Sequence, residues 1–294
     1  MTTRTVDTTE ELAAFLRGRR EQLDPERLGL PARRRARRTP GLRREEVAEL
    51  AGVSTDYVVR LEQGRGLRPS AEVLAALARA LRLAPGERDY LFDLAGRRRP
   101  GGTRGGAATD PAPSLAHLVE ELSPLPAALL DHRYDLLAWN PEMARLLPEF
   151  DAVPPERRNA MWLCLLHPPM RGFYADREGV LRDGVAHLRA AWAAHPEDRA
   201  LAGLIAEFTE QDEDFARLWA EREVRVNGRG RKLLRHPAVG AIAVDFEVLL
   251  PLEDPELRLL VYRAADDESR AALHRLCGGD GCREGRLTAC CKQA

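Results

Sequence analysis

The chain has 294 residues, of which 44% are apolar and 31% charged, and its formal net charge is -1. This length corresponds to about two domains, and the apolar share is sufficient for a core in each. No basic segment followed by an apolar leader opens the chain, and no run approaches 18 apolar residues. We therefore expect a soluble, cytoplasmic protein with no membrane partner.

The near-neutral net charge conceals an asymmetry between the two parts of the chain. Residues 1–106 carry 22 basic and 15 acidic side chains, whereas residues 107–294 carry 23 and 31. A basic head joined to an acidic body is typical of a protein that places only one end on nucleic acid. Of the 45 basic residues, only Lys232 and Lys292 are lysines.

Five short helices are predicted within the first 95 residues. The first has an apolar stripe, the middle two form a pair, and the last two begin at Pro69-Ser70 and at Pro85-Gly86. Their apolar positions are Leu12, Phe15, Leu16 and Leu23 in the first, Val73, Leu77 and Leu81 in the fourth, and Leu91 and Leu94 in the fifth. The pattern predicts a compact all-α domain over residues 1–95.

The middle pair of helices lies in the stretch VAELAGVSTDYVVRLEQGRG, residues 47–66. Gly52 suits the left-handed end of one helix, and Ser54 is a good N-cap for a second helix that runs through Gln63. A turn this short forces the helices to cross sharply, as in a helix-turn-helix. We expect Ala48, Leu50 and Ala51 to face inward from the first helix and Val58 and Leu61 from the second, which leaves Thr55, Asp56, Tyr57, Arg60 and Gln63 outside.

Eight arginines and no acidic residue lie between residues 27 and 44, at positions 27, 33, 34, 35, 37, 38, 43 and 44. Arginine forks suit phosphate oxygens, and counterion release then contributes much of the affinity for DNA. For arginines 33 to 38, a minor-groove contact, a phosphate contact and a solvent-exposed position all remain open.

Residues 42–95 resemble the DNA-binding domain of the XRE family, which is lambda repressor and Cro-like. The resemblance implies a partner in double-stranded DNA, with the second helix of the pair in the major groove. The candidate DNA-binding residues are then Arg44, Ser54, Thr55, Asp56, Tyr57, Arg60 and Arg65. Glu62 and Gln63 are as compatible with a structural role as with DNA contact.

A linker and a second domain follow. Residues 96–113, GRRRPGGTRGGAATDPAP, have the composition of a linker, and we expect the next domain to span residues 114–265. Apolar runs at 129–130 and 136–139 predict a hairpin, followed by Asn140-Pro141 as a helix start. Helices are predicted around 181–192, 201–208 and 215–219, and two antiparallel strands in AIAVDFEV and LRLLVYR. Four strands covered by helices define an α+β domain, and the whole chain is multidomain.

No set of catalytic residues appears in this domain. The sequence contains no G-x-S-x-G, no glycine-rich phosphate loop, no H-E-x-x-H and no Cys-x-x-Cys. Its histidines at 167, 187, 195 and 236 are scattered, as expected for structural or solvated residues. We therefore predict a protein that is not an enzyme and has no cofactor, catalytic residue or metal site.

Four segments, YDLLAWN, RRNAMWLCLLHPPMR, DFARLWAEREV and HPAVGAIAVDFEVL, resemble the ligand-binding domain of MmyB-like transcription regulators over about residues 110–265. The resemblance implies a PAS-like module that holds a small hydrophobic ligand, and fatty acid is the ligand class that the family suggests. The candidate ligand-binding residues are Trp139, Asn140, Arg158, Asn159, Trp162 and His236. Equally open are a capping role for Asn140, a core position for Trp139 and a surface ion pair for Arg158.

The last segment, residues 266–294, contains Cys277, Cys282, Cys290 and Cys291 and is expected to be a flexible tail. The spacing fits zinc poorly, so an unstructured extension, a thiol switch and a metal site all remain open, in that order of preference. The leading hypothesis for the whole protein is a homodimeric transcription regulator controlled by a hydrophobic effector. The alternatives keep the DNA-binding domain, but make the second domain a ligand-free interaction or dimerisation module, or the cysteine tail a redox sensor.

Overall fold

The computed structural model describes residues 8–25, 41–65, 68–96, 113–224 and 227–277. Arginines 27 and 33–38, most of the predicted linker and Cys282, Cys290 and Cys291 lie outside these residues. Internal contacts divide the chain into unit 1, Met1–Gly102 with Arg189–Ala202, and unit 2, Thr103–Leu188 with Gly203–Ala294. Within the described ranges, no helix is both long and apolar enough to cross a membrane.

Unit 1 contains the five predicted helices near its start. They are α1 (Thr8–Gln22), α2 (Arg44–Ala51), α3 (Thr55–Glu62), α4 (Ala71–Ala80) and α5 (Pro85–Leu94). Their core is made by the predicted apolar stripes, with buried Leu12 and Phe15 in α1, Leu77 in α4 and Leu91 in α5. The ring of Phe15 packs edge-on against that of Tyr90 with centroids 5.1 Å apart.

One predicted core position in α2 is wrong. Leu50 is 43% exposed, whereas Val47, Ala48 and Ala51 are buried. Positions 47, 48 and 51 lie three and four residues apart and therefore share one face of a helix. Leu50 falls outside that face, so α2 carries an apolar side chain on its solvent side.

Glu62 joins three helices of unit 1 through its buried carboxylate. The side chain is 2% exposed and accepts hydrogen bonds from Arg20 Nε at 2.6 Å and Arg44 Nε at 2.8 Å. Arg20, in turn, donates from Nη1 to the carbonyl of Leu42 at 2.9 Å. Because a buried carboxylate is tolerated only when it is paired in this way, Glu62 has a structural role.

The chain after residue 112 is mixed helix and strand. Its elements are α6 (Pro113–Glu121), β1 (Ala127–Leu130), β2 (Leu136–Trp139), α7 (Pro141–Leu146), α8 (Ala160–Leu166), α9 (Arg177–Ala194), α10 (Arg199–Gln211), α11 (Glu213–Glu221), β3 (Arg229–His236), β4 (Gly240–Leu249), β5 (Arg258–Ala264) and α12 (Asp267–Cys277). The predicted multidomain arrangement, an all-α unit followed by an α+β unit, is confirmed.

The five strands form one antiparallel sheet in the order β2-β1-β5-β4-β3. The predicted hairpin is β1–β2, and the predicted partner strands are β4 and β5, with Phe246 opposite Tyr262. Strand β3, RGRKLLRH, was not predicted. Its period-two pattern is hidden because Lys232 shares the inward face with buried Leu234 and His236, while arginines occupy much of the other face.

Each face of the sheet is covered. Val119 of α6 packs with Ala127, Leu129 and Val261 on one face. The other face carries the larger cluster, which includes Phe150, Ile242, Phe246 and two residues of α12, Ala272 and Leu273.

The predicted flexible tail requires a correction at its start, because residues 267–277 form helix α12 on the sheet. Ala272 and Leu273 are buried, and Ser269 Oγ accepts a hydrogen bond from Ala243 N at 2.9 Å. Burial of this apolar face holds the helix in place. Cys277 is the last residue of α12, so it is part of the folded unit.

Candidate functional site

The turn between α2 and α3 has the geometry that the sequence predicts. Gly52 lies in the left-handed region with φ 66°, where a side chain would be strained. Ser54 has extended backbone, and its Oγ accepts a hydrogen bond from Tyr57 N at 3.1 Å. The cap satisfies one of the unpaired N–H groups at the start of α3 and thereby sets where that helix begins.

Helix α3 has one solvent face and one buried face. Thr55, Asp56 and Arg60 are exposed and Tyr57 is half-buried. Val58 and Leu61, on the opposite side, are each less than 5% exposed. The helix therefore presents a short row of polar side chains to solvent, held from behind by the core of unit 1.

The other three predicted DNA-binding residues are Ser54 and Arg65, on either side of α3, and Arg44, at the start of α2. Arg44 begins α2, and its side chain is 42% exposed although its Nε is committed to Glu62. Arg65 is exposed just after α3. The hydroxyl oxygen of Ser54 accepts a hydrogen bond as the N-cap of α3, which restricts the hydrogen bonds that it can make with DNA.

Unit 2 contains a cavity of about 120 Å³ between the sheet and helices α8 and α9. Its wall is mostly apolar, with Leu and Met side chains from several elements. The residues that line it are Ala128, Leu130, Tyr134, Leu136, Met143, Leu147, Ala160, Met161, Leu163, Cys164, Met170, Tyr174, Val180, Asp183, Gly184, His187, Asn227, Lys232, Phe246, Val248, Arg258, Leu260 and Tyr262. A concave, mainly apolar wall with a few polar groups is the usual form of a small-molecule site.

Lys232 extends from β3 into an aromatic surround. Its Nζ lies 3.3 Å from Tyr262 Oη, and 4.6, 5.5 and 5.6 Å from the ring centroids of Phe246, Tyr174 and Tyr262. Burial lowers the pKa of Lys232, but contact with Tyr262 outweighs it, and the pKa lies above its ordinary value. The ring faces therefore stabilise a charged ammonium inside the wall.

Arg258, at the start of β5, contacts His187 of α9 and lies over the ring of Tyr134. Its Nη1 donates to His187 Nδ1, and its guanidinium carbon is 5.7 Å from the ring centroid of Tyr134. His187 Nε2 lies 3.1 Å from the carbonyl of His132, which assigns the proton of the neutral imidazole to Nε2. Burial and the charge of Arg258 hold the pKa of His187 well below its ordinary value.

The cavity wall contains two cations, Lys232 and Arg258. Among the described residues, no carboxylate oxygen lies within 4 Å of Lys232 Nζ or of the Arg258 guanidinium. The carboxylate of the wall, Asp183, accepts a hydrogen bond from Nδ2 of the exposed Asn227 at 2.7 Å. With His187 neutral, the wall carries a net positive charge.

None of the six predicted ligand-binding residues lines this cavity. Asn140 is fully buried, and its Oδ1 accepts from Ala127 N and Met143 N, both at 3.0 Å. Asn159 Oδ1 accepts from Met161 N and Trp162 N, also at 3.0 Å. Both amides cap helices, and their Nδ2 groups donate to the carbonyls of Leu125 and Arg133 at 2.7 and 2.8 Å. They therefore have little hydrogen-bonding capacity left for a ligand.

The other four residues are also engaged elsewhere. The Arg158 guanidinium lies over the ring of Trp139 at 5.1 Å, and its Nε donates to the carbonyl of Val153 at 3.2 Å. The Trp162 ring lies under Arg157 at 5.5 Å. His236 Nδ1 accepts from Ala238 N at 3.2 Å in the turn between β3 and β4.

Sequence reasoning missed the polar groups of the cavity: Tyr134, Tyr174, His187, Lys232, Arg258 and Tyr262. One signal was available, since Lys232 is one of two lysines among 45 basic residues and sits in an otherwise arginine-rich segment. The ammonium of lysine is a compact point charge, whereas the guanidinium of arginine is planar, so the two are not interchangeable between aromatic rings. The remaining residues carry no local signal, because they meet only when the sheet and α9 come together.

The two regions together define a class of protein, a transcription regulator with a helix-turn-helix domain and a ligand-binding domain. Comparison with family models identifies the family. Residues 11–91 match a helix-turn-helix domain, and residues 111–276 match the MmyB-like transcription regulator ligand binding domain. The second match covers more than half of the chain, so the chain belongs to the MmyB-like transcription regulators. A comparison with curated proteins found no match.

Proposed function

We propose that this protein is a sequence-specific DNA-binding regulator whose second unit binds a small hydrophobic effector. The single observation that carries the effector proposal is the cavity of about 120 Å³ with its mostly apolar wall and few polar groups. A packed interior has few voids larger than a water molecule, so a cavity of this size favours a ligand site over a ligand-free interaction module. The helix-turn-helix domain gives the DNA partner.

The exposed row of α3 is the proposed DNA-reading surface. We assign base or phosphate contacts to Thr55, Asp56, Tyr57 and Arg60, and backbone contacts to Arg44 and Arg65. Ser54 contributes mainly by setting the start of α3. One helix of this length reaches only a few base pairs, and a homodimer on two half-sites would multiply the discrimination.

The effector class proposed from the family resemblance is a fatty acid. The PAS-like interpretation is supported by an antiparallel five-stranded sheet with helices on both faces and a cavity against one of them. An effector shifts DNA binding only through its different affinities for the DNA-competent and incompetent states of the protein. The effector is therefore expected to change operator affinity measurably.

The first test is native mass spectrometry of the purified full chain, followed by organic extraction of any adduct. A stoichiometric small-molecule adduct supports the proposal, and adding the extracted molecule to stripped protein should change its affinity for selected operator DNA. A dimer that carries no adduct, accepts no hydrophobic acid and still binds DNA would favour the ligand-free interaction module.

A further inference from the structure

We infer that helix α9 transmits the state of the cavity to the DNA-binding helices, through a buried ion pair between its Arg189 and Glu11 of α1. This inference rests on the proposed function and deepens it, because it names the element through which an effector would change operator affinity. It concerns the connection between the cavity and the reading face, and it does not depend on which hydrophobic effector binds.

Helix α9 is one continuous helix that belongs to both units. Residues 177–188 belong to unit 2 and residues 189–194 to unit 1. The first part contributes four residues to the cavity wall, namely Val180, Asp183, Gly184 and His187. Arg189 follows His187 by two positions, a rise of about 3 Å along the helix axis. A displacement of the wall at His187 therefore reaches Arg189 within the same helical turn.

The Arg189 side chain forms a buried ion pair inside unit 1. Arg189 is 2% exposed, and its Nη1 donates to Glu11 Oε1 at 2.6 Å. The same carboxylate oxygen of Glu11, itself buried, accepts a hydrogen bond from Tyr90 Oη at 3.1 Å. Burial and the charge of Glu11 raise the pKa of Tyr90, so its hydroxyl stays protonated and donates. Separating a buried pair leaves an uncompensated charge away from water, so this contact responds sharply to the position of α9.

The exposed ion pairs of α9 provide a contrast with the buried one. Arg177 pairs with Asp212, and Arg182 pairs with Glu221, but the two arginine side chains are 32% and 27% exposed. Ion pairs that water can reach contribute little, because water solvates the charges when the pair separates. Arg189 is therefore the arginine of α9 whose contact is costly to break.

Helix α1 connects Glu11 to the proposed reading helix. Glu11 lies in the first turn of α1 and Arg20 in its last turn, about 14 Å apart at 1.5 Å per residue. Arg20 donates from Nε and Nη2 to the carboxylate of Glu62 at 2.6 and 3.1 Å. Glu62 is the last residue of α3, which carries the proposed reading face. A shift of α1 therefore acts on the carboxylate that fixes the end of α3.

The proposed link makes a thermodynamic statement that a purely structural ion pair does not make. An effector that binds one position of α9 more tightly shifts the protein toward that position. The factor by which it changes operator affinity equals the factor by which operator DNA changes its own affinity. Breaking the pair should reduce this factor, whereas a pair with only a structural role would affect stability and leave the factor unchanged.

The test measures how much palmitate, as a probe of the fatty-acid class, changes the operator affinity of the full chain. Affinity for an operator selected from random-sequence DNA is measured by fluorescence anisotropy for the wild type, Arg189→Met, Arg189→Lys and Glu11→Gln. Arg199→Met is the matched control, because Arg199 lies in the same segment of unit 1 but is exposed. Circular dichroism and thermal melting establish that each variant is folded.

We expect palmitate to change the operator affinity of the wild type by about tenfold, within the usual range of coupling between two sites. The factor should fall below about threefold in Arg189→Met and Glu11→Gln, because the link is broken. Arg189→Lys keeps the charge and should retain part of the factor, and Arg199→Met should match the wild type. An unchanged factor in both Arg189→Met and Glu11→Gln would overturn the inference.

Hydrogen exchange tests the link without any ligand. In Arg189→Met, the amides of α3 should exchange at least about threefold faster relative to those of α4, because α1 no longer holds Arg20 firmly on Glu62. Unchanged relative exchange in α3 would overturn the inference, and so would an equal increase in Arg199→Met. If palmitate leaves the wild type's operator affinity unchanged, the fatty-acid proposal fails, and the relative exchange in α3 still decides for or against the link.

Discussion

The proposed DNA-reading face of unit 1 and the cavity of unit 2 are built in opposite ways. The proposed reading face comes mainly from consecutive residues of one helix, Thr55 to Arg60, whose position is set by a glycine and a capping serine just before it. The cavity draws its polar groups from α9, β3, β5 and the β1–β2 turn, which are up to 128 positions apart between Tyr134 and Tyr262. A surface formed by consecutive residues can be predicted from their spacing in the sequence. A cavity formed by elements that are distant in the chain cannot.

The largest loss of stability is expected from a change at Glu62, because its ion pairs join parts of unit 1 that are distant in the chain. Glu62→Gln removes the charge that pairs with Arg20 and Arg44, and leaves the buried guanidinium of Arg20 without its main compensation. Breaking a buried ion pair from one side costs about 3–5 kcal/mol of unfolding free energy. Urea denaturation followed by far-ultraviolet circular dichroism measures this loss. Glu45→Gln, at an exposed position in the same pair of helices, serves as the control.

The next effect concerns the reading face itself. Arg60→Ala and Tyr57→Ala should each weaken binding to operator DNA by about ten- to a hundredfold, because each lost base contact is worth roughly 1–3 kcal/mol. The operator is selected from random-sequence DNA with the wild type, and affinity is measured by fluorescence anisotropy. Arg79→Ala, exposed on α4, is expected to bind normally. Unchanged operator affinity in both α3 variants would exclude α3 as the reader.

A smaller effect is expected on the free energy of unfolding when the pH is lowered, because of His187 in the cavity wall. The pKa of His187 is lowered by burial and by Arg258, so below about pH 6.5 the unfolded chain binds a proton that the folded chain does not. The free energy of unfolding therefore falls as the pH drops, by at most about 1.4 kcal/mol per pH unit for this proton. His236, whose pKa is also lowered by burial, adds to the same trend.

Thermal melting between pH 7.5 and pH 5 measures this dependence. His187→Gln should flatten the profile, whereas His117→Gln, whose side chain is 68% exposed on α6, should leave it unchanged. An identical profile in wild type and His187→Gln would contradict a neutral, buried imidazole beside Arg258.

The smallest effect tests the local signal that positions the reading face. Ser54→Ala removes the hydroxyl that accepts from Tyr57 N and should cost about 1 kcal/mol of stability. Ser54→Asp should restore most of it, because aspartate also caps helices. Thr55→Ala, at the next exposed position, is the control in the same denaturation experiment. A full loss in the aspartate variant would show that the cap does not set the start of α3.

The sequence indicated the geometry of the helix-turn-helix but not which residues line the cavity, for reasons visible in single residues. Asn140 and Trp139 stand at a strand-to-helix junction, where a polar and an aromatic residue suggest a pocket. The structure uses the amide of Asn140 to cap α7 and the ring of Trp139 to stack with Arg158. Strand β3 was missed because its inward face carries Lys232, a residue that a hydrophobic period cannot detect.

The sequence by itself determined the five helices of unit 1, the helix-turn-helix, the β1–β2 and β4–β5 pairings and the family. The helices, the turn and the strand pairings depend on residues close in the chain: glycine and serine at a turn, apolar residues every three or four positions, or alternation along a strand. The family follows from the resemblance of several segments. Only the tertiary structure decided that α12 belongs to unit 2, that Glu62 joins three helices, and that Lys232, Arg258 and Tyr134 share one cavity. Those contacts depend on side chains from distant elements meeting in space, and local spacing carries no information about which distant residues will meet.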